Sequence, residues 1–102
     1  MSQCMLQINF NYSISREELD TLAASRAEPI AKMPGLQWKI WIVNEKESEC
    51  GGHYLFADES SADNYINSPL VEALITNPAV SNASVKKFSI MDAPTSITHG
   101  PV

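Results

Sequence analysis

The stretch Leu36-Gln37-Trp38-Lys39-Ile40-Trp41-Ile42-Val43-Asn44 limits what this chain can become more than any other segment. Aromatic and β-branched residues dominate it, and such side chains favour extended backbone because they pack well on a pleated surface. Successive side chains of a strand point to opposite faces, so Trp38, Ile40 and Ile42 share one side while Trp41 and Val43 share the other. Both sides are apolar. An antiparallel strand with one wet face alternates apolar with polar residues, so this one must be covered twice. Helices of the same chain are expected over Trp38, Ile40 and Ile42, and a second copy of the chain over Trp41 and Val43.

The remaining sequence supplies helices and sheet partners. Residues 4–12 alternate, with Leu6, Ile8, Phe10 and Tyr12 opposed to Gln7, Asn9 and Asn11, which predicts a first strand. Ser15 and Glu18 have the spacing of a capping box and open a helix. Its stripe is Leu19, Leu22, Ala23, Arg26, Ile30 and Met33; Pro29 should kink it and Pro34-Gly35 stop it. A second extended segment, residues 50–56, follows the charged residues 45–49 and predicts a β-hairpin. Pairing Asn44 with Cys50 would set Trp41 opposite His53 and Ile40 opposite Tyr54. Asp58 caps a helix carrying Ala62, Tyr65 and Ile66, and Pro69 opens another carrying Leu70, Val71, Leu74 and Ile75, ended by Pro78. Residues 85–91 read as the last strand and residues 93–102, with two prolines, as a tail.

The resulting order of strand, helix, strand, strand, helix, strand is the split βαβ pattern of an α+β, ferredoxin-like domain with a four-stranded antiparallel sheet. Its uncovered face is the expected homodimer surface. A chain of 102 residues is one domain, residues 1–102, and at this size about two thirds of its surface can be buried without disulfides. Seven basic against twelve acidic residues leave a charge of -5, which repels phosphate backbones and argues against nucleic acid. No apolar run approaches the ~20 residues that cross a bilayer, so no membrane partner is expected. The amino-terminal residues lack a basic start and a cleavage site, so the cytoplasm is expected, with Cys4 and Cys50 as reduced, buried thiols.

Candidates for chemistry are few. His53, His99, Cys4 and Cys50 lack the short spacings of zinc sites, so no metal is expected. Gly51-Gly52 fits no phosphate-binding motif and enters a strand; a β-bulge is the favoured reading, a close approach of backbone or ligand the other. Cys50 and His53 are three apart and point to opposite faces of a regular strand, so they form no thiolate pair. His53 can move a proton near neutrality and is a candidate base, its competing reading being a hydrogen-bonded interface residue. Trp41 beside it can clamp a flat ring, although large aromatics in strands are more often core. Lys39 reads as a snorkelling residue ahead of an anion site.

Trp38-Lys39-Ile40-Trp41 after Pro34-Gly35, then Gly51-Gly52-His53-Tyr54-Leu55-Phe56 and Asp58-Glu59-Ser60-Ser61-Ala62, resembles the YdhR family of mono-oxygenases in the dimeric α/β-barrel superfamily. The resemblance is close in the middle third of the chain, and the order of elements agrees throughout. It implies a ferredoxin-like protomer, a dimer whose two sheets form a barrel, and oxygenation without metal, haem or flavin. Ile42-Val43 stands where polar or acidic residues are expected, and His53 where the family often has an apolar residue. Only Trp38, Trp41 and Tyr54 therefore carry over, as motif positions.

The expected function is a cofactor-independent mono-oxygenase of a small, flat, phenol- or quinol-like aromatic. Trp38, Trp41 and Tyr54 would be the walls, His53 the base and Asn9 a polar anchor. The faces conflict: Trp38 and Tyr54 are expected toward the helices, and Trp41, His53 and Asn9 toward the partner sheet. The resemblance implies a pocket beneath the helices, which favours the first group. The competing reading is a non-catalytic module that binds a small hydrophobic ligand or another protein. An RNA-recognition domain shares the strand order but needs exposed aromatics in Arg/Lys-Gly-Phe contexts on a basic sheet, which are absent.

Overall fold

Four strands and four helices arise where local sequence signals are strongest, and a computed structural model describes residues 2–102 of the chain. Strand β1 (Cys4–Tyr12) lies inside an antiparallel sheet of order β2-β3-β1-β4, with β2 (Leu36–Asn44), β3 (Glu49–Phe56) and β4 (Val80–Phe88) around it. This is the ferredoxin-like α+β arrangement. The alternation of β1 decides which face is covered: Cys4, Leu6, Ile8 and Phe10 are buried, while Met5, Gln7, Asn9 and Asn11 are only half-buried. Helix α1 (Arg16–Ala31) begins at the capping box, where Ser15 Oγ accepts from the Glu18 amide at 3.1 Å and the Ser15 amide donates to Glu18 Oε1 at 3.2 Å. Pro29 lies in its last turn, so the chain stays helical for only two further residues. Helix α2 (Glu59–Ile66) starts where Asp58 accepts from the Ser61 amide at 2.7 Å, and α3 (Pro69–Ile75) starts on its proline.

The core lies between these helices and the inner sheet face. Leu6, Ile8, Tyr54, Phe56 and Val71 are its most deeply buried large side chains, each contributing about 1.5–3 kcal/mol by leaving water. Among the described residues no helix is long and apolar enough to cross a membrane.

Four expectations need correction. The last strand is Val80–Phe88, not residues 85–91, because the polar run Ser81-Asn82-Ala83-Ser84 pairs with β1 as an edge strand and hides the alternation. A register shift against Asn9 and Asn11, with Asn82 at φ 53, further breaks the pattern. Residues 93–102 are not all tail: α4 (Asp92–Ile97) takes up the first part. Pro94 sits in its first turn, where a missing N–H costs no intrahelical bond.

The third correction governs the site. Leu36 pairs with Phe56 but Trp38 pairs with Leu55, so Gln37 is an extra residue on β2. Such a bulge advances the strand without a matching step on its partner. Leu36 therefore packs inward, and from Trp38 onward the faces are the reverse of those expected. Asn44 pairs with Glu49 instead of Cys50, which sets Trp41 opposite Gly52, Lys39 opposite Tyr54 and Ile40 opposite His53. Lys39, Trp41 and Val43 face the helices; Trp38, Ile40 and Ile42 face outward. The reading of Gly51-Gly52 as a bulge is also overturned, since both glycines sit in regular pairing with β1 and β2.

Candidate active site

The stripe of α1 is not packed uniformly. Leu19 and Ile30 are buried at either end, but Leu22, Ala23 and Arg26 between them are only half-buried. Beneath that middle section lies a cavity of about 160 Å³, bounded by α1, the inner faces of β1, β2 and β3, and residues of α2 and α3. Ile8, Phe10, Trp41, Tyr54, Tyr65 and Leu74 give it apolar and aromatic walls. An apolar cavity of ~150 Å³ takes one benzene ring, so this one holds a single ring with substituents toward the mouth.

Lys39 enters from β2. Gly52, opposite Trp41, leaves space for it: a Cβ there would lie 2.5 Å from Lys39 Cε. The ammonium lies 3.3 Å from the centre of the Trp41 ring and 4.5 Å from that of Tyr54, both within cation–π range. Burial disfavours its charged form, nearby Arg26 adds repulsion, and its pKa falls from 10.5 to about 7. Lys39 can thus give or take a proton at neutral pH.

Arg26 reaches the same cavity from α1, and its Nη1 donates to the Leu70 carbonyl at 3.4 Å. Neither Lys39 nor Arg26 takes part in an ion pair among the described residues. At the mouth Arg16 pairs with Asp20 at 2.9 Å and with Glu45, joining the first turn of α1 to the β2–β3 turn. The Tyr54 and Tyr65 hydroxyls share a hydrogen bond of 3.1 Å, and burial raises both phenols above their ordinary pKa. Burial also pushes the Cys50 thiol up to about 11, so it lines the cavity as a neutral group and not as a thiolate.

The five residues singled out from sequence are divided between the two faces. Trp41 and Tyr54 line the cavity. Trp38, His53 and Asn9 lie on the outer face, where Trp38 Nε1 donates to the Pro101 carbonyl at 2.8 Å and His53 pairs with Gln7 and Ile40. Asn9 Nδ2 donates to Glu49 Oε2 at 3.4 Å, while its buried Oδ1 has no partner among the described residues and rests against Gly51. His53 is separated from the cavity by the sheet itself, so Lys39, discounted in the sequence, is the group placed to act as base there. Cys50 and His53 do point to opposite faces, as their spacing required. No group of three or more His, Cys, Asp or Glu side chains gathers in metal-binding range among the described residues.

A four-stranded antiparallel sheet of this order with α1, α2 and α3 packed over its inner face defines a ferredoxin-like domain. Residues 5–101 match the family described as "Putative mono-oxygenase ydhR", and the chain belongs to that family. No curated protein matches it. Among solved structures it is similar to SnoaB from Streptomyces nogalater, a cofactor-independent oxygenase, at 14% identity and TM-score 0.72 over 88% of this chain and 94% of that one. NE2512 from Nitrosomonas europaea, of unknown function, is 21% identical with TM-score 0.75 over 91% and 93% of the two chains. The heme-degrader MhuD from Mycobacterium tuberculosis, solved with two hemes in its active site, is 19% identical with TM-score 0.65 over 85% and 95%. At these identities the likeness concerns the fold.

Proposed function

We propose that the chain is a cofactor-independent mono-oxygenase of small phenol- or quinol-like aromatics, acting in the cavity beneath α1. One observation carries this reading: an amine with pKa about 7 stands between two aromatic rings in a ring-sized chamber. Neutral Lys39 takes the phenolic proton, and the ammonium so formed pairs with the phenolate. The phenolate gives one electron to O₂, the two radicals combine at a ring carbon, and loss of water leaves a quinone. One oxygen atom enters the product and the other leaves as water. All electrons come from the substrate, so phenol plus O₂ gives quinone plus water with no external reductant. Lys39 returns its proton to the departing oxygen and ends as it began. Trp41 and Tyr54 hold the ring and exclude water.

The same reading has the chain acting in the cytoplasm as a homodimer through the outer sheet face. Ile40 and Phe88 are 50% and 45% exposed there, and a second copy would withdraw them from water. The dimer keeps its cavities separate, each under its own α1.

The test is oxygen uptake and product analysis with hydroquinones, catechols and anthrones under ¹⁸O₂, using chelator-treated protein. Quinone carrying one labelled atom is expected, with consumption of one O₂ per turnover. Absence of turnover above buffer would retire the reading for those substrates, and melting shifts without product would leave a binding module in its place.

A further inference from the structure

We propose that the substrate is an aromatic acid, a phenol whose ring also bears a carboxylate, with Arg26 holding the carboxylate while Lys39 meets the phenolic oxygen. The inference rests on the cavity being the substrate site. Its basis is a charge imbalance within that chamber. The chain has twelve acidic and seven basic residues, yet two of its cations converge on one apolar cavity with no acid to match them.

The other ionisable groups around the cavity do not restore the balance. On α1, Arg16 is matched by Asp20 and Glu45 at the mouth. On β3, Cys50 and Tyr54 are held neutral by burial, and so is Tyr65 on α2. Helix α3 contributes Leu70 and Leu74, which do not ionise. That leaves Arg26 and Lys39 facing each other closely enough for Arg26 to oppose protonation of the lysine. Two like charges in a poorly solvated chamber are held at a cost, and an anion between them relieves both.

The geometry of the two cations assigns the groups. The planar guanidinium fork matches a carboxylate through paired N–H bonds, whereas an ammonium acts as a point charge and proton carrier. Among the described residues Arg26 engages only the Leu70 carbonyl, at the long distance of 3.4 Å, so its remaining donors can reach a ligand. Lys39, stacked on the aromatic walls, is the group beside the ring. A neutral quinol would leave Arg26 unmatched in the complex.

Binding of 2,5-dihydroxybenzoate, 2,5-dihydroxybenzamide and hydroquinone to the intact protein at pH 7, followed by tryptophan fluorescence, tests this without turnover. The acid is expected to bind at least tenfold more tightly than the amide. Arg26→Gln should abolish that advantage, so that the acid binds no more tightly than the amide. Arg26→Lys, which keeps charge and stem, should lose most of it, and serves if the Gln variant does not fold. Equal affinity for acid and amide, an advantage that survives Arg26→Gln, or no binding of any of the three would overturn the proposal. Tight, Arg26-dependent binding of an acid that is never oxidised would uphold the anion site and sink the oxygenase reading. Oxidation of hydroquinone with no preference for the acid would do the reverse.

Discussion

On the inner face of the sheet Leu6, Ile8, Tyr54 and Phe56 lie within the core, with only Trp41 and Val43 at the edge strand left 41% and 40% exposed among these apolar residues, whereas Ile40, Ile42 and Phe88 on the outer face stand in contact with solvent. The inner face also holds the groups of the proposed site, with Lys39 against two aromatic rings and Arg26 lining the same cavity. The outer face carries a histidine, a tryptophan and an asparagine, which look more like an active site in the sequence. The contrast teaches that residue type is a poorer guide to chemistry than enclosure. Lys39 acquires its reactivity from burial beside another cation, while His53 is outside the chamber.

The sharpest way to break this contrast is to remove the amine. Lys39→Met is expected to lower kcat by ~10²–10⁴, the usual worth of a positioned acid–base group, with little change in the binding of a neutral ring. Turnover near the unaltered rate would take Lys39 out of the mechanism. The rate of the unaltered protein should rise with pH through about 7 and level off, since only the neutral amine accepts the proton.

The outer face is probed by Ile40→Asp, which sets a charge where the partner sheet is proposed. A dimer dissociation constant raised at least ~30-fold, about 2 kcal/mol, is expected by sedimentation equilibrium, with turnover per subunit retained. Gly52→Ala then tests the space beneath Lys39. The added methyl would meet Lys39 Cε, displacing the amine and lowering kcat about tenfold, as a small misplacement of a reacting group does.

Stability gives a smaller effect of defined sign. Below pH about 7 folded and unfolded chains both carry the Lys39 proton, and burying that charge opposes folding in full. Between about 7 and 10.5 the unfolded chain holds a proton the folded one lacks, so this penalty fades as pH rises. Lys39→Met should therefore stabilise the fold more at pH 6 than at pH 9.5 in urea titrations. Last, His53→Ala should leave turnover within about twofold; a larger fall would draw the outer face into the chemistry.

Much of the fold was readable because its signals are local. Ser15 with Glu18, Asp58 with Ser61 and the alternation of residues 4–12 each report on a few neighbouring bonds. The double apolar character of β2 is a local signal of the same kind, with Trp41 and Val43 on the helix side and Ile40 and Ile42 on the outer one. What the sequence hid was which side was which. Leu36 to Trp38 reads as ordinary alternation, and nothing in the residues announces that Gln37 has no partner on β3. From that one step followed the exchange of Trp38 with Trp41 and the neglect of Lys39. Gly51-Gly52 held the missing clue, since two glycines within a well-paired strand leave room that Asn9 and Lys39 fill on opposite sides.

Gln37 has a consequence of its own. Ile40 and Ile42 would line an apolar chamber about as well as Trp41 and Val43, so hydrophobicity scarcely distinguishes the two phases of this edge strand. A single supernumerary amino acid therefore acts as the parity bit of the molecule. Deleting it would join Leu36 to Trp38 with no break in the pairing and leave the ammonium where it is; the opposite phase needs Gln37 to be paired, and that frameshift in space would turn the ammonium outward and leave an inert hollow under the helix.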